Sequence, residues 1–322
     1  MEFLSDTKKQ HFISQAEQRL NATSNNLNKI YSFTLIDREE YNLKLDDGKG
    51  VSIVNNLRII DLFSFDVIKK NPERYNFESL FGKYEKSIGE NTKILLDKVK
   101  ENDNDIKSEL TNIFILKIVN FVRNPYSIQK VLNTFPSLLT MYPLDKELKD
   151  RFDKVLNGKK PKQQYLCTLL GITDDVYRDW LKIIFMLLTP FDTDGLNILE
   201  HAEKELYESK DNAILVNIYT FDDKCCLLSD RGFSNPIQDC EHMAWDFNLF
   251  SHGFIQYMFA DWKCFIPKNT PEKYISAMMR KPKELQVYTH HNDYKQLAVY
   301  NKNVVYQCYE KVYNASSTIY GL

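Results

Sequence analysis

The 322-residue sequence predicts an α+β fold: a predominantly helical middle, a small N-terminal β-hairpin and a later antiparallel β region. Three observations point there. Apolar residues recur at three- and four-residue spacing between about residues 77 and 210, as in helices with one buried face. Runs of β-branched and aromatic residues alternating with polar ones flank that stretch on both sides. Gly and Pro number only 10 each, too few for a fold made of many tight turns.

Ile30 to Asp37 and Glu40 to Leu45 alternate around Arg38-Glu39 and then meet Asp46-Asp47-Gly48 and Val51 to Val54, the pattern of a hairpin or meander. From Phe77, the positions Phe77, Phe81, Tyr84, Ile88, Leu95 and Val99 keep helical spacing. Lys98 to Lys107 reads as a charged loop. A second series runs through Ile106, Ile113, Phe114, Lys117, Ile118, Phe121 and Val122, and Pro125 ends it at or near Asn124, because the residue before a proline avoids the α region. Further helices are expected at Asp145 to Leu156, Thr173 to Thr189 and Gly195 to Ser209. The last would be capped by an oxygen from Asp192-Thr193-Asp194. Beyond it, Ala213 to Phe221 and Lys224 to Leu228 form an expected hairpin around Asp222-Asp223, and Phe254 to Phe259 an expected strand pair with Lys263 to Ile266. Pro271 to Met279 and Asn292 to Tyr309 read as closing helices. The whole is expected to be one large domain, 1–322, with the helical middle at about 77–210, a β-containing part at about 211–322, and β elements from both ends able to meet in one sheet.

Composition narrows function by exclusion. Lys and Arg number 42 and Asp and Glu 44, a formal charge of −2, which denies the chain the long-range attraction to phosphate of a strongly basic protein. With 19 Tyr and 20 Phe, intrinsic disorder is excluded. Met1 to Gln10 carries no apolar run of the kind that directs export. Ile113 to Val122 and Leu181 to Pro190 fall short of the roughly 20 apolar residues a membrane span requires, so no membrane association is expected. The six cysteines show no C-x-x-C pair; the expected compartment is the reducing cytoplasm.

Three runs carry a resemblance: K-K-Q-H-F-I-S-Q at Lys8 to Gln15, L-L-S-D-R-G-F at Leu227 to Phe233, and N-K-N-V-V-Y at Asn301 to Tyr306. With a helical middle ending in F-V-R-N-P-Y-S at Phe121 to Ser127, this order resembles the prokaryotic domain-of-unknown-function 4238 family over about residues 8–315. In that family a His-His-[aromatic]-x-Pro-Gln start precedes a small hairpin, and a Thr-Ser-Asp-[Asn] turn follows a later strand. His11, Gln15, Ser229 and Asp230 match residue by residue, whereas Gln10, Ser14 and Leu228 stand where the family has His, Pro and Thr. Glu85 and Arg123 are weaker matches. The family carries no assigned activity, so the resemblance implies fold and extent.

The residues suggest two chemistries. His11, Glu85, Arg123 and Asp230 are the expected catalytic set: His11 as general base or metal ligand, Asp230 as ligand or orienter of His11, Arg123 as a clamp for phosphate charge. Gln15, Ser229, Arg231 and Lys302 are expected to bind substrate. The structural readings stay open beside these: His11 orienting the first helix, Asp230 closing an Asx-turn, and Arg123 in a buried ion pair with Glu85. His290-His291-Asp293 and His242-Asp246-His252 hold ligand types without a zinc-binding spacing, His242 and Asp246 being i, i+4 partners if helical. Tyr300, Tyr306, Tyr309 and Tyr313, interleaved with Lys295, Lys302 and Lys311, could stack on a single strand. No phosphate-cradling glycine loop or nucleophile elbow is present. The expected function is a nucleic-acid-cleaving effector of a prokaryotic defence or toxin system, one that could employ a divalent metal. The alternative is a non-catalytic binding or regulatory component that recognises a protein encoded in the same operon.

Overall fold

The computed structural model describes residues 3–68, 73–191, 195–209, 212–236, 242–262, 266–267, 269–279 and 285–322. Its polar start holds a strand, β1 (Lys9–His11), and a helix, α1 (Gln15–Leu20), neither of which periodicity assigns. Ser14 caps the helix: its Oγ accepts from the Glu17 N–H. The expected hairpin is β2 (Lys29–Asp37) with β3 (Asn42–Leu45), and β4 (Val51–Ser52) also pairs with β2. β5 (Arg58–Ile60) returns antiparallel to β1 and sets Arg58 opposite His11.

The helical run expected from Phe77 is two helices, α2 (Glu78–Glu85) and α3 (Ile88–Glu101). Gly82 and Gly89 bracket the break, and glycine weakens a helix interior. α4 (Lys107–Arg123) is buried on every side from Ile113 to Arg123, as befits a helix that is apolar nearly all round. It stops at Asn124, whose extended backbone precedes Pro125 as expected. α5 (Ile128–Thr134), α6 (Lys146–Asn157), α7 (Gln163–Leu170) and α8 (Asp174–Leu188) follow, with Asp145 and Thr173 capping α6 and α8. α9 (Ile198–Glu208) begins later than Gly195, because Asn197 and Glu200 form a reciprocal capping box there; Asp192-Thr193-Asp194 lies outside the described residues.

The later β region departs from expectation in its pairing. β6 (Asn212–Thr220) does not fold back onto Lys224 to Leu228. Its neighbours are β9 (Gly253–Asp261) and the parallel β10 (Gln286–His291), and β9 pairs in turn with β8 (His242–Phe250). A nine-residue partner satisfies the whole of β6, which the five residues from Lys224 could not. Cys226, expected in a strand, donates its N–H to the Ser251 carbonyl instead. His242 and Asp246 lie on a strand, so the i, i+4 helical relation does not exist. Phe254 to Phe259 pairs with β6 and β8, and Lys263 to Phe265 lies outside the described residues.

The other large sheet joins β3, β2, β11 (Lys311–Asn314) and β7 (Leu228–Ser229), so the N-terminal hairpin and the C-terminal strand do meet. The β elements nevertheless form separate sheets. Between the two larger ones lies α11 (Tyr294–Gln307), whose Leu297, Tyr300 and Val304 pack with Phe33, Phe254 and Val312. The opposite face of the four-stranded sheet packs on α4, with Phe114 4.9 Å from Tyr257 and Phe121 5.1 Å from Trp245 between ring centroids. The remaining helix, α10, is Glu272–Met279. Among the described residues no helix is long and apolar enough to cross a membrane.

Candidate functional site

The runs singled out in the sequence converge at the C-terminal end of α4. The Arg123 Nε–H donates to the Phe12 carbonyl at 3.2 Å, and Asn124 Nδ2 donates to the Asp230 carbonyl at 2.8 Å. Gly232, at φ +81°, packs so tightly that a Cβ there would meet Ile13 Cδ1 at 2.8 Å. Asn301 Oδ1 accepts from the Leu227 N–H at 3.1 Å. Four segments far apart in sequence thus share one set of polar joints.

Arg123 is 1% exposed. Beyond Phe12, its Nη2 donates to Asn120 Oδ1 at 2.7 Å, its Nη1 pairs with Glu85, and its plane lies over the Phe81 ring at 4.9 Å. The network continues inward. Asn120 Nδ2 donates to Glu17, Glu17 pairs with Lys117, and Lys117 Nζ donates to the Asn248 carbonyl at 2.6 Å. Asn21 Nδ2 reaches Asn248 Oδ1 at 2.7 Å. Lys117, Asn120 and Arg123 therefore form one polar stripe at three-residue steps down an otherwise apolar helix. Sequence reasoning missed Glu17, Lys117 and Asn120 as members. The signal was a lysine and an asparagine inside an apolar run, which burial obliges to find partners.

His11 lies beside this network. Burial first, then the charges of Arg123 and Arg58, lower its pKa to about 4, with Glu85 opposing them. The ring is therefore neutral at physiological pH. Its Nε2 is buried without a hydrogen-bond partner. Glu78, at the start of α2, is the counterpart missed in the sequence: burial raises it to about 7 despite Arg123, and its Oε1 also has no partner.

Asp230 has a different occupation. Its Oδ1 accepts from the Tyr309 N–H at 2.8 Å, and its Oδ2 from the N–H groups of Glu310 and Lys311 at 2.7 and 2.9 Å. Burial raises its pKa and these three donors oppose the rise. The carboxylate thereby holds the turn from α11 into β11. His11 feels Arg123, Glu85 and Arg58 as neighbouring charges, whereas Asp230 feels Arg231. His11, Glu85 and Arg123 are brought together, and Asp230, its carboxylate taken up by backbone N–H groups, lines the cleft that Phe12 and Arg58 also line.

The expected substrate-binding residues scatter. Gln15 Oε1 accepts from Arg19 on the surface of α1, and Ser229 Oγ accepts from the Arg231 N–H at 3.0 Å to close a turn. Arg231 is half-buried and its Nε has no partner. Lys302 lies over the Tyr41 ring at the β2–β3 turn. Tyr300 and Tyr313 are buried, which removes two of the four tyrosines expected to stack on bases; Tyr306 and Tyr309 are exposed. Tyr309 stacks on Tyr126 at 4.3 Å and 9°.

A cleft of about 190 Å³ opens beside these joints, lined by Phe12, Asn56, Arg58, Tyr126, Lys311 and Tyr313 among others. The other ligand-type residues have separate partners: His291 Nε2 is 3.3 Å from Asp222, Asp293 caps α11, and His252 Nδ1 is 2.9 Å from the Lys224 carbonyl. Among the described residues no three His, Cys, Asp or Glu side chains gather closely enough to hold a metal ion. Cys167, Cys225, Cys226 and Cys308 are free thiols; burial raises the pKa of Cys225 although His252 stands 4.0 Å from its sulfur. No protein-family model matches the chain, and no curated protein or solved structure is found similar to it.

Proposed function

We propose that this chain is a non-catalytic binding or regulatory protein whose recognition surface includes the cleft around Arg58 and Tyr126. The observation that supports this reading is the engagement of Arg123. Its three nitrogens and its face are taken up by Phe12, Glu85, Asn120 and Phe81, so its fork is not open to a transferring phosphate. Asp230 is engaged in the same sense by three backbone N–H groups. A cleft lined by tyrosine rings, with Arg58 and Lys311 beside Asp230 and Glu310, suits a partner segment that offers an aromatic side chain flanked by charges of both signs, such as a loop of a protein from the same operon.

The test pairs stability with activity. Purified protein is incubated with single- and double-stranded DNA and RNA, with and without Mg²⁺ or Mn²⁺, alongside His11→Ala and Asp230→Ala. The binding reading expects no cleavage and a large drop in Tm for Asp230→Ala. Cleavage by the unmodified chain that either substitution abolishes at unchanged Tm overturns it.

A second reading, nucleic-acid hydrolysis with His11 as general base, is favoured by one observation. The His11 ring is neutral and its Nε2 is not engaged by any hydrogen-bond partner. It expects the cleavage that the binding reading excludes.

A further inference from the structure

The four-stranded sheet carries a line of polar side chains through its buried interior. Asp246 on β8 stands opposite Gln256 on β9, and Gln256 stands opposite Asn217 on β6. Because strand side chains alternate, all three share one face, the one that packs on α11. Gln256 Nε2 donates to Asp246 Oδ1 at 2.9 Å, Asn217 Nδ2 donates to Gln256 Oε1 at 3.1 Å, and His290 Nε2 on β10 lies 3.0 Å from Asn217 Oδ1. The hydrogen bonds thus cross all four strands from a carboxylate that is 2% exposed to a half-buried imidazole on the edge strand. Each amide between them both donates and accepts, so the line has a direction.

We propose that Asp246, Gln256, Asn217 and His290 form a proton relay in which the protonation of Asp246 and the hydrogen-bonding sense of the His290 imidazole are a single equilibrium. With Asp246 ionised, every donor points toward it, and His290 must supply an Nε2–H to Asn217 Oδ1. This leaves Nδ1 as a lone pair toward the surface. One proton taken from solvent has two seats. On His290 Nδ1 it leaves the relay as it stands. On Asp246 the new O–H donates to Gln256 Oε1, both carboxamides turn over, and Asn217 Nδ2 donates to His290 Nε2. In that form the Nε2 proton has left and Nδ1 carries the only ring proton, so one proton is gained overall.

The surface nitrogen is an acceptor in the empty relay and a donor in either occupied form. A partner at the β10 edge would meet opposite hydrogen-bonding chemistry above and below the relay's titration. Among the described residues, the titratable groups facing the line are Tyr219 on β6, stacked on His290 at 4.4 Å; Tyr300 on α11, which feels the Asp246 charge; and Asp293 at the start of α11, which acts on Tyr219. Phenols stay neutral across the range in question. Burial without a cationic partner favours the protonated carboxyl of Asp246, consistent with a relay that titrates near neutrality.

Nuclear magnetic resonance of the full chain tests this. The His290 ring ¹⁵N shifts and the Asp246 carboxyl ¹³C shift are followed from about pH 5 to about 8.5, a range that brackets histidine titration. The relay expects both residues to show a common inflection, with His290 Nε2 passing toward lone-pair character as Asp246 protonates. In Asp246→Asn the common inflection disappears. Independent inflections in the unmodified protein overturn the proposal, as does a His290 curve unchanged in Asp246→Asn. If that variant does not fold, the coincidence or separation of the two curves in the unmodified chain decides alone.

Discussion

Replacing Asp246 by asparagine should make this protein more stable in mild base and somewhat less stable in acid. Asp246 is 2% exposed, has no cationic partner among the described residues, and is held by one amide of Gln256. Burial raises its pKa from 3.8 to about 7. The sign follows from proton binding. Below pH 3.8 both folded and unfolded chains hold the proton, and the group costs nothing. Between there and about pH 7 the unfolded chain ionises freely while the folded one resists, so stability falls as pH rises. Across that interval, at about 1.4 kcal/mol per pH unit, the loss amounts to about 4 kcal/mol. The asparagine avoids this cost at every pH, while its N–H₂ brings two donors of which Gln256 can accept from at most one, and the unpaired donor costs about 1–3 kcal/mol at all of them. The net expectation is a variant about 1–3 kcal/mol more stable than the parent at about pH 8.5 and less stable at about pH 4.5. Guanidinium denaturation followed by tryptophan fluorescence at the two pH values measures the difference. Equal destabilisation at both would refute the reasoning, because it would show that the carboxylate is not ionising against its surroundings.

Glu78, raised by burial to about 7, has the same sign, so Glu78→Gln should flatten the decline in stability between about pH 4.5 and 7 in the same denaturation series. His11 has the opposite sign: its pKa is lowered from 6.5 to about 4, so the stability it contributes is complete above pH 6.5 and is lost as pH falls from there toward 4, and His11→Phe should blunt acid unfolding followed by circular dichroism. Arg123→Met leaves Glu85, Asn120 and the Phe12 carbonyl without their donor; breaking such a buried pair costs about 3–5 kcal/mol, visible as a large fall in Tm that Arg123→Lys does not restore. Gly232→Ala combines a left-handed backbone with a contact on Ile13 Cδ1. It should cost about 2 kcal/mol, and shortening the neighbour with Ile13→Val should recover part of it in a double-mutant cycle.

The longer helices were legible from their apolar spacing, whereas α1, α5 and α7 were not. Asp145, Thr173 and Asn124 mark ends that need only nearby backbone N–H groups or a following proline. Of the strands, β2 and β3 were legible as a hairpin, and β6 and β9 as strands but not as partners. In contrast, β8 and β10, where the sequence offered only histidine and aspartate ligand types, were not legible at all. Lys224 to Leu228 sits next to β6 in sequence, yet β6 pairs with β9 and β10, and β2 pairs with β11 near the chain's other end. Short elements such as β1, β5 and β7 leave too few residues for any period to show.

The candidate site divides along the same line. Sequence alone marked His11, Arg123 and Asp230 as polar residues that must be doing something, because a guanidinium at the end of an apolar helix and a carboxylate at a strand-to-turn junction both demand partners. Only the tertiary structure decided which partners. It bore out the Arg123–Glu85 pair that the sequence offered, added Asn120 and Phe12 around Arg123, placed three backbone donors around Asp230, and lined up Asp246, Gln256, Asn217 and His290 across four strands. The reason is physical: a helix or a cap is a contract among neighbours in sequence, whereas a buried charge is satisfied by whatever the whole fold brings within about 3 Å.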